Sequence, residues 1–130
     1  LFSEFAGKVE GIDYSMKHLQ DWMKPEKRKT NKPMNFLGGK SQVRHFPKGV
    51  VGIISPWNLP FGLTVAPLTS ALAAGNRALL KPSEFVPETA ALFADVVPKY
   101  FANDAVAVVT GGAEISQRFA ELPFDHLLPF

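Results

Sequence analysis

The sequence contains no cysteine among its 130 residues. This absence excludes disulfides, thiolate metal sites and cysteine catalysis within these residues. No apolar run reaches the roughly 18–20 residues that a transmembrane helix needs, and no signal-peptide pattern opens the chain. The composition, 46% hydrophobic and 20% charged, is typical of a folded globular domain. We therefore expect one domain with its own core in a cytoplasmic protein.

Several common functional motifs are also missing. The sequence has neither the G-x-G-x-x-G nor the Walker A phosphate-binding loop, and it has no G-x-S-x-G nucleophile elbow. Its histidines, His18, His45 and His126, lie in separate segments without the spacing of metal ligands. We therefore expect no metal site, and nothing indicates a serine hydrolase.

The net charge of +2 hides an asymmetry along the chain. Residues 1–50 carry ten Lys or Arg and five Asp or Glu, net +5, whereas residues 51–130 carry four and seven, net −3. The basic excess centres on residues 24–32, where no aromatic side chains interleave to stack on bases. We interpret this segment as a solvated helix end and linker, and we expect no nucleic-acid partner.

Residues before position 50 form two segments of different character. Apolar residues recur at helical spacing, which predicts an amphipathic helix that ends near Pro25 within residues 1–29. The members of this stripe are Phe2, Phe5, Val9, Ile12, Met16, Leu19 and Met23. Residues 30–49 contain prolines and glycines and a weakly alternating stretch at 41–46, which predicts an extended arm or connector.

From residue 50 the pattern becomes regular. Apolar strand candidates alternate with helical segments, which is typical of βαβ units in a parallel sheet. The strands are predicted at 50–54, 77–81, 105–109 and 126–130, and the helices at 64–74, 87–97 and 113–122. We predict a three-layer αβα Rossmann-like parallel sheet over residues 50–130, truncated because the chain stops in its fourth strand. Pro129 suggests that this last strand is frayed.

A polar turn follows the first of these strands. Pro56 sets the direction of the backbone, Trp57 can pack over a ligand, and Asn58 offers a neutral amide. Chemistry that builds a tetrahedral alkoxide needs such a donor where the negative charge develops. The alternative is a turn in which the Asn58 side chain only caps its own backbone.

Two further turns follow the second and third strands. Lys81 and Glu84 could grip the two hydroxyls of a ribose, and a carboxylate there repels a 2′-phosphate, which favours NAD over NADP. The alternative is a surface ion pair without function. Gly111 and Gly112 would let the backbone approach a flat ring, or they satisfy a turn that simply needs glycine.

The order and spacing of these segments closely resemble the aldehyde dehydrogenase superfamily, over nearly all 130 residues. The segments that carry this resemblance are Val51–Phe61, Ala73–Asn76 and Leu80–Glu84. Trp22–Lys27 and Asp104–Gly112 resemble its class 3-like branch, which includes fatty, aromatic and coniferyl aldehyde dehydrogenases.

The resemblance implies NAD- or NADP-dependent oxidation of an aldehyde, aromatic such as coniferyl aldehyde or long-chain, to its carboxylate. By the same match, Asn58 helps hold the oxyanion of a thiohemiacetal, and Lys81 and Glu84 bind the adenine ribose. The residues implied to line the cofactor cleft are Ile54, Ser55, Pro56 and Trp57, with Gly111 or Gly112 near the adenine. A homodimer is also implied, with the arm around residues 30–48 as a candidate contact.

The family's catalytic cysteine and general-base glutamate lie beyond the position that matches Phe130. The resemblance therefore implies an N-terminal fragment, which we expect to be inactive by itself. An acylating or semialdehyde dehydrogenase of the same superfamily is one alternative. A stand-alone nucleotide-binding or assembly module without catalysis is the other.

Overall fold

A computed structural model describes residues 2–130, with side chains from Phe5 onward, so the Phe2 side chain of the predicted stripe lies outside the described part. The helices are α1 (Phe2–Trp22), α2 (Gly62–Ala73), α3 (Pro87–Tyr100) and α4 (Ala113–Ala120). The strands are β1 (Glu26–Arg28), β2 (Ser41–Val43), β3 (Val50–Ile54), β4 (Arg77–Lys81), β5 (Val106–Val108) and β6 (His126–Pro129), with a 3₁₀ helix at Met34–Leu37. No helix within residues 2–130 combines the length and hydropathy needed to cross a bilayer.

Four strands form a parallel sheet in the order β5-β4-β3-β6. Ile54 at the end of β3 is paired with both Lys81 of β4 and Pro129 of β6, so these strands end at one level. The chain steps outward from β3 to β5 and then returns to the other side of β3. The strand order thus reverses between β3 and β6, and in open α/β sheets ligands bind outside the carboxyl ends of the strands at such a point.

Helices cover both faces of this sheet. Ile53 and Leu80, both fully buried, pack against Leu68 of α2 and Phe93 of α3 on one face. On the opposite face, Gly52 lies beneath residues 124–127, which follow α4. Right-handed crossovers require this arrangement, because the connection through α4 runs in the opposite direction to those through α2 and α3. The predicted three-layer αβα parallel sheet is confirmed.

Three local predictions differ from the structure. Glu26–Arg28, interpreted as helix end and linker, forms β1 and pairs antiparallel with β2. All three of its side chains are exposed, so no apolar alternation indicates a strand in the sequence. Helix α3 runs through Pro98 to Tyr100. Strand β6 is not frayed at Pro129, because the Phe130 N–H donates to the Ile54 carbonyl at 3.2 Å and the Pro129 nitrogen therefore faces away from β3.

Helix α1 packs against α2 near the start of the parallel sheet's first crossover. The Phe5 ring lies 4.1 Å from the Phe61 ring, which in turn stacks on Phe93 at 6.0 Å between centroids. Further along the predicted apolar stripe, Met16 and Met23 are largely exposed. Phe5 and Val9 are exposed as well, and only Ile12 and Leu19 are half-buried, so the described part of α1 leaves most of its apolar stripe uncovered.

Candidate functional site

An open cleft of about 690 Å³ lies at the carboxyl ends of β4 and β5. One wall is α3, which presents there the small apolar side chains Pro87, Ala90, Ala91 and Ala94 together with the carboxylate of Asp95. The turn Thr110–Gly112 forms the facing wall, and Pro82–Glu84 close one end. Small side chains on both walls leave room for a ligand to approach the backbone of the cleft.

Lys81 and Glu84 are adjacent in the structure, but only Glu84 reaches the cleft. The Lys81 side chain is 1% exposed, donates to the Pro82 carbonyl at 2.9 Å, and lies 3.5 Å from a Glu84 carboxylate oxygen. These acceptors compensate for the burial of an ammonium group. The Glu84 side chain is 33% exposed and lines the cleft, while its carboxylate pairs with the buried Lys81.

The two predicted glycines both line the cleft, for different physical reasons. Gly111 has a φ of +145°, and a Cβ there would come within 2.6 Å of the Ile115 side chain. The turn itself therefore requires glycine at this position. Gly112 precedes α4, and a Cβ built on it would meet nothing within 4 Å. Open space at Gly112 lets a ligand approach the backbone closely.

The β3 turn lies at the neighbouring strand end and does not contribute to this cleft. Trp57 and Asn58 are exposed, while Ser55 is buried and donates its backbone N–H to the Lys81 carbonyl at 3.0 Å. Among residues 5–130, whose side chains the structure describes, no hydrogen bond joins the Asn58 side chain to its own turn, in contrast to the self-capped alternative. Leu59 has a φ of +55°, a left-handed conformation that costs a non-glycine residue about 1–2 kcal/mol.

Ile54 and Pro56 are half-buried at the same strand end. The structure therefore brings Ile54, Ser55, Pro56, Trp57 and Asn58 together in one turn, and Glu84, Gly111 and Gly112 in one cleft. Their roles toward a ligand stay predictions.

The charged side chains that line the cleft are both carboxylates, and each is paired with a lysine outside the lining, Glu84 with Lys81 and Asp95 with Lys99. Asp95 of α3 also lines it and pairs with Lys99 at 2.6 Å, whereas no Lys or Arg is among the lining residues of the described chain. Sequence reasoning missed Asp95. Asp95 lies four residues, about one helical turn, after Ala91, so the sequence places both on the same face of α3. This spacing could have indicated Asp95 as a lining residue. Across residues 2–130, no three His, Asp or Glu side chains are grouped so that they could hold a metal ion.

A parallel sheet with crossover helices on both faces defines an open α/β domain, and its cleft lies at the carboxyl ends of β4 and β5, beside the point between β3 and β6 where the strand order reverses. Residues 2–128 match the model of the aldehyde dehydrogenase family, and the chain belongs to that family. It is 48% identical over 127 residues to a probable coniferyl aldehyde dehydrogenase of Caulobacter vibrioides, a match that covers 97% of this chain and 26% of that protein.

Solved structures agree with this assignment. A substrate-bound AldH of Staphylococcus aureus superposes with a TM-score of 0.86 at 36% identity, covering 92% of this chain and 26% of the other. A Mycobacterium tuberculosis aldehyde dehydrogenase complexed with NAD⁺ gives a TM-score of 0.73 at 31% identity, covering 92% and 24%. The chain thus spans about a quarter of the length of the proteins it matches.

Proposed function

We propose that this chain is the N-terminal, cofactor-binding part of an NAD(P)-dependent aldehyde dehydrogenase that oxidises an aldehyde to its carboxylate. The observation that carries the proposal is the convergence of Glu84, Gly111 and Gly112 on one cleft in a chain of this family. The similarity to a probable coniferyl aldehyde dehydrogenase supports an aromatic substrate, with a long-chain aldehyde as the second choice.

Assembly and location are further parts of the proposal. A homodimer with contacts through the arm is supported by exposed apolar side chains there, Phe36, Leu37 and Phe46. The cytoplasmic location stays a prediction.

The residues of the cleft fit an adenosine group. The alanine wall and the glycine turn accommodate the flat base, and the partly exposed Glu84 carboxylate accepts hydrogen bonds from ribose hydroxyls. The buried Lys81 side chain forms an ion pair with that carboxylate and so fixes its position. The nicotinamide cofactor, when bound, supplies the hydride acceptor, and the β3 turn with Trp57 would line its path toward the substrate.

The charge balance of the cleft favours NAD over NADP. A 2′-phosphate placed beside Glu84 would lie next to its carboxylate, and no Lys or Arg is among the described lining residues to compensate, while Asp95 is already paired with Lys99. Two like charges about 4 Å apart repel by about 1 kcal/mol in water and about 4 kcal/mol near a protein surface. NAD therefore binds more tightly by about tenfold or more.

Asn58 is proposed to stabilise the oxyanion of the substrate. Its amide is exposed and makes no hydrogen bond within residues 5–130, so it is available as a donor. The attacking nucleophile is not in these 130 residues, which contain no cysteine. The chain by itself is therefore expected to show no turnover, and appearance of NADH absorbance from aldehyde and NAD with the purified chain would contradict this.

Cofactor titration tests the cleft. Isothermal titration of the chain with NAD and NADP is expected to show tighter binding of NAD, and Glu84→Gln should reduce that preference by about tenfold. Glu88→Gln is the matched control, because Glu88 is an exposed carboxylate in the first turn of α3 that does not line the cleft. An unchanged preference in Glu84→Gln would contradict the assignment of Glu84.

A chimera tests the catalytic part. Residues 1–130 replace the matching N-terminal quarter of the Caulobacter vibrioides relative, and oxidation of coniferyl aldehyde is measured with NAD. We expect an active enzyme, and Asn58→Ala should lower kcat by about 100- to 1000-fold. A chimera that folds and binds NAD but has no activity would instead favour the stand-alone nucleotide-binding or assembly module.

A further inference from the structure

Two buried hydroxyl groups meet beneath the β3 turn. Thr64 in the first turn of α2 is 0% exposed and Ser55 at the end of β3 is 3% exposed. Thr64 Oγ1 lies 2.7 Å from Ser55 Oγ and 2.6 Å from the Pro60 carbonyl oxygen. A buried hydroxyl group costs free energy unless it forms a hydrogen bond. A valine at position 64 would fill the volume of Thr64 without needing a hydrogen-bond partner.

The proton count fixes the direction of this chain of hydrogen bonds. A hydroxyl has one proton, and a carbonyl oxygen can only accept. Thr64 therefore donates to Pro60, and Ser55 donates to Thr64. The two bonds connect the residue after β3 to the first turn of α2 and to Pro60 in the turn between them.

The loop closed in this way is the one that carries Asn58. Leu59, which follows Asn58, is left-handed and largely exposed, so burial of its side chain does not offset its backbone strain. Its carbonyl accepts the Leu63 N–H at 3.0 Å, at the start of α2. Strained backbone persists where surrounding contacts hold it, and the Thr64 bond to Pro60 lies directly beside it.

A hydrogen bond from a helical threonine to the carbonyl four residues earlier is common and by itself indicates no function. Helix α2 contains such a case in Thr69, which donates to the Val65 carbonyl at 2.8 Å. Thr69 is only half-buried and contacts no second hydroxyl. Thr64 differs because its oxygen also accepts from the neighbouring strand.

We propose that Thr64, through Ser55 and Pro60, is a positioning residue that holds the Asn58 turn in its donor geometry. The inference rests on the proposed role of Asn58 as oxyanion donor. Thr64 does not touch substrate or cofactor. Its loss would let the strained Leu59 relax and displace the amide, and misplacement of a reacting group by about 1 Å can cost up to about a hundredfold in rate.

The first test uses the chimera with the Caulobacter vibrioides relative. Thr64→Val should lower kcat by about ten- to a hundredfold while the KM for NAD stays unchanged. Thr64→Ser, which keeps the hydroxyl, should restore most of the activity, and Thr69→Val is the matched control with wild-type kcat. The Asn58→Ala/Thr64→Val double variant should be no slower than Asn58→Ala, because Thr64 acts through Asn58.

Additive losses in the double variant would overturn the proposal, as would an equal loss in Thr69→Val. An unchanged kcat in Asn58→Ala would instead overturn the proposed oxyanion role, so the two failures are distinguishable.

The second test needs no activity and uses the 130-residue chain. Thr64→Val should accelerate amide hydrogen exchange at Leu63 and Val65 by about tenfold, while Ala78 in β4 stays protected as in the wild type. The Leu63 and Val65 amides bond to the Leu59 and Phe61 carbonyls next to the turn, whereas Ala78 bonds across the sheet to Ala105. Acceleration at all sites, or at none, would contradict a local positioning role.

Discussion

The packing over Gly52 gives the sharpest prediction about the fold. Gly52 lies in the middle of β3, on the face covered by the segment after α4. A Cβ added there would come within 2.7 Å of the Phe124 ring and 2.9 Å of Leu127, closer than real Cβ contacts. The Phe124 ring cannot move freely, because it packs at 4.9 Å against the buried ring of Phe119. Gly52→Ala must therefore displace the layer formed by α4 and the chain before β6.

The expected cost follows from these contacts. Overpacking by one methyl group in a close-packed core costs about 1–3 kcal/mol. Alanine recovers about 0.5–1 kcal/mol of backbone entropy relative to glycine. Taken at their midpoints, these two terms leave a net destabilisation of about 1 kcal/mol. For a domain of this size each kcal/mol lowers Tm by about 3–5 °C, so Gly52→Ala should lower it by about 3–5 °C.

Thermal and urea unfolding followed by circular dichroism measures this change. Gly11→Ala is the control, because a Cβ at Gly11 meets nothing within 4 Å and alanine favours a helix by about 1 kcal/mol. It should raise Tm by a few degrees. A Tm for Gly52→Ala equal to or above the wild-type value would mean that the Phe124 ring does not pack over β3. The placement of α4 and Phe124 on this face of the sheet would then be wrong.

Two further predictions concern side chains outside the site. The Asn76 side chain accepts from two backbone amides before β3, at 2.6 and 3.0 Å, and donates to the Ala71 carbonyl at 3.2 Å. Asn76→Ala should therefore cost about 1–3 kcal/mol in urea unfolding, whereas the exposed Asn103→Ala should leave stability unchanged. A hydrogen bond from Lys24, and then its charge, lowers the pKa of Asp21 below 3.8. The ion pair between Asp21 and Lys24 therefore slightly stabilises the folded state at pH values above the pKa that Asp21 has in the unfolded chain, and this stabilisation is lost as the pH falls through the lower pKa of the folded state. An NMR titration of Asp21 with a midpoint at or above 3.8 would contradict the ion pair.

The fold was predictable because its central strands, β3 and β4, are buried along most of their length. Such strands read as continuous apolar runs, and their alternation with helices leaves few topologies once crossovers are right-handed. The small strand β1 was not predictable, because its three exposed residues owe their conformation only to pairing with β2. The residue pattern of β1 alone does not indicate that it pairs with a strand about fifteen residues later in the chain.

The sequence predicted only those site residues that follow the carboxyl end of a strand. Glu84 and Gly112 directly follow apolar strands, so the sheet brings them to one edge. The burial of Lys81 was not predictable, since a lysine next to a proline and a serine reads as a surface residue. The Ser55–Thr64 contact was also missed, because it joins a strand to a helix and neither hydroxyl belongs to a recognisable motif.

The backbone couples the two halves of the proposed site. The Ser55 N–H donates to the Lys81 carbonyl at 3.0 Å, so the turn that carries Asn58 and the turn that carries Glu84 share one hydrogen bond. The Lys81 side chain holds Glu84, while its carbonyl holds the start of the Asn58 turn. A shift of β4 relative to β3 would break this bond and change the distance between Asn58, the proposed oxyanion donor, and Glu84, the proposed ribose acceptor. Pairing of β3 and β4 in register therefore holds the two turns at a fixed separation, which the proposed cofactor site and reacting centre require.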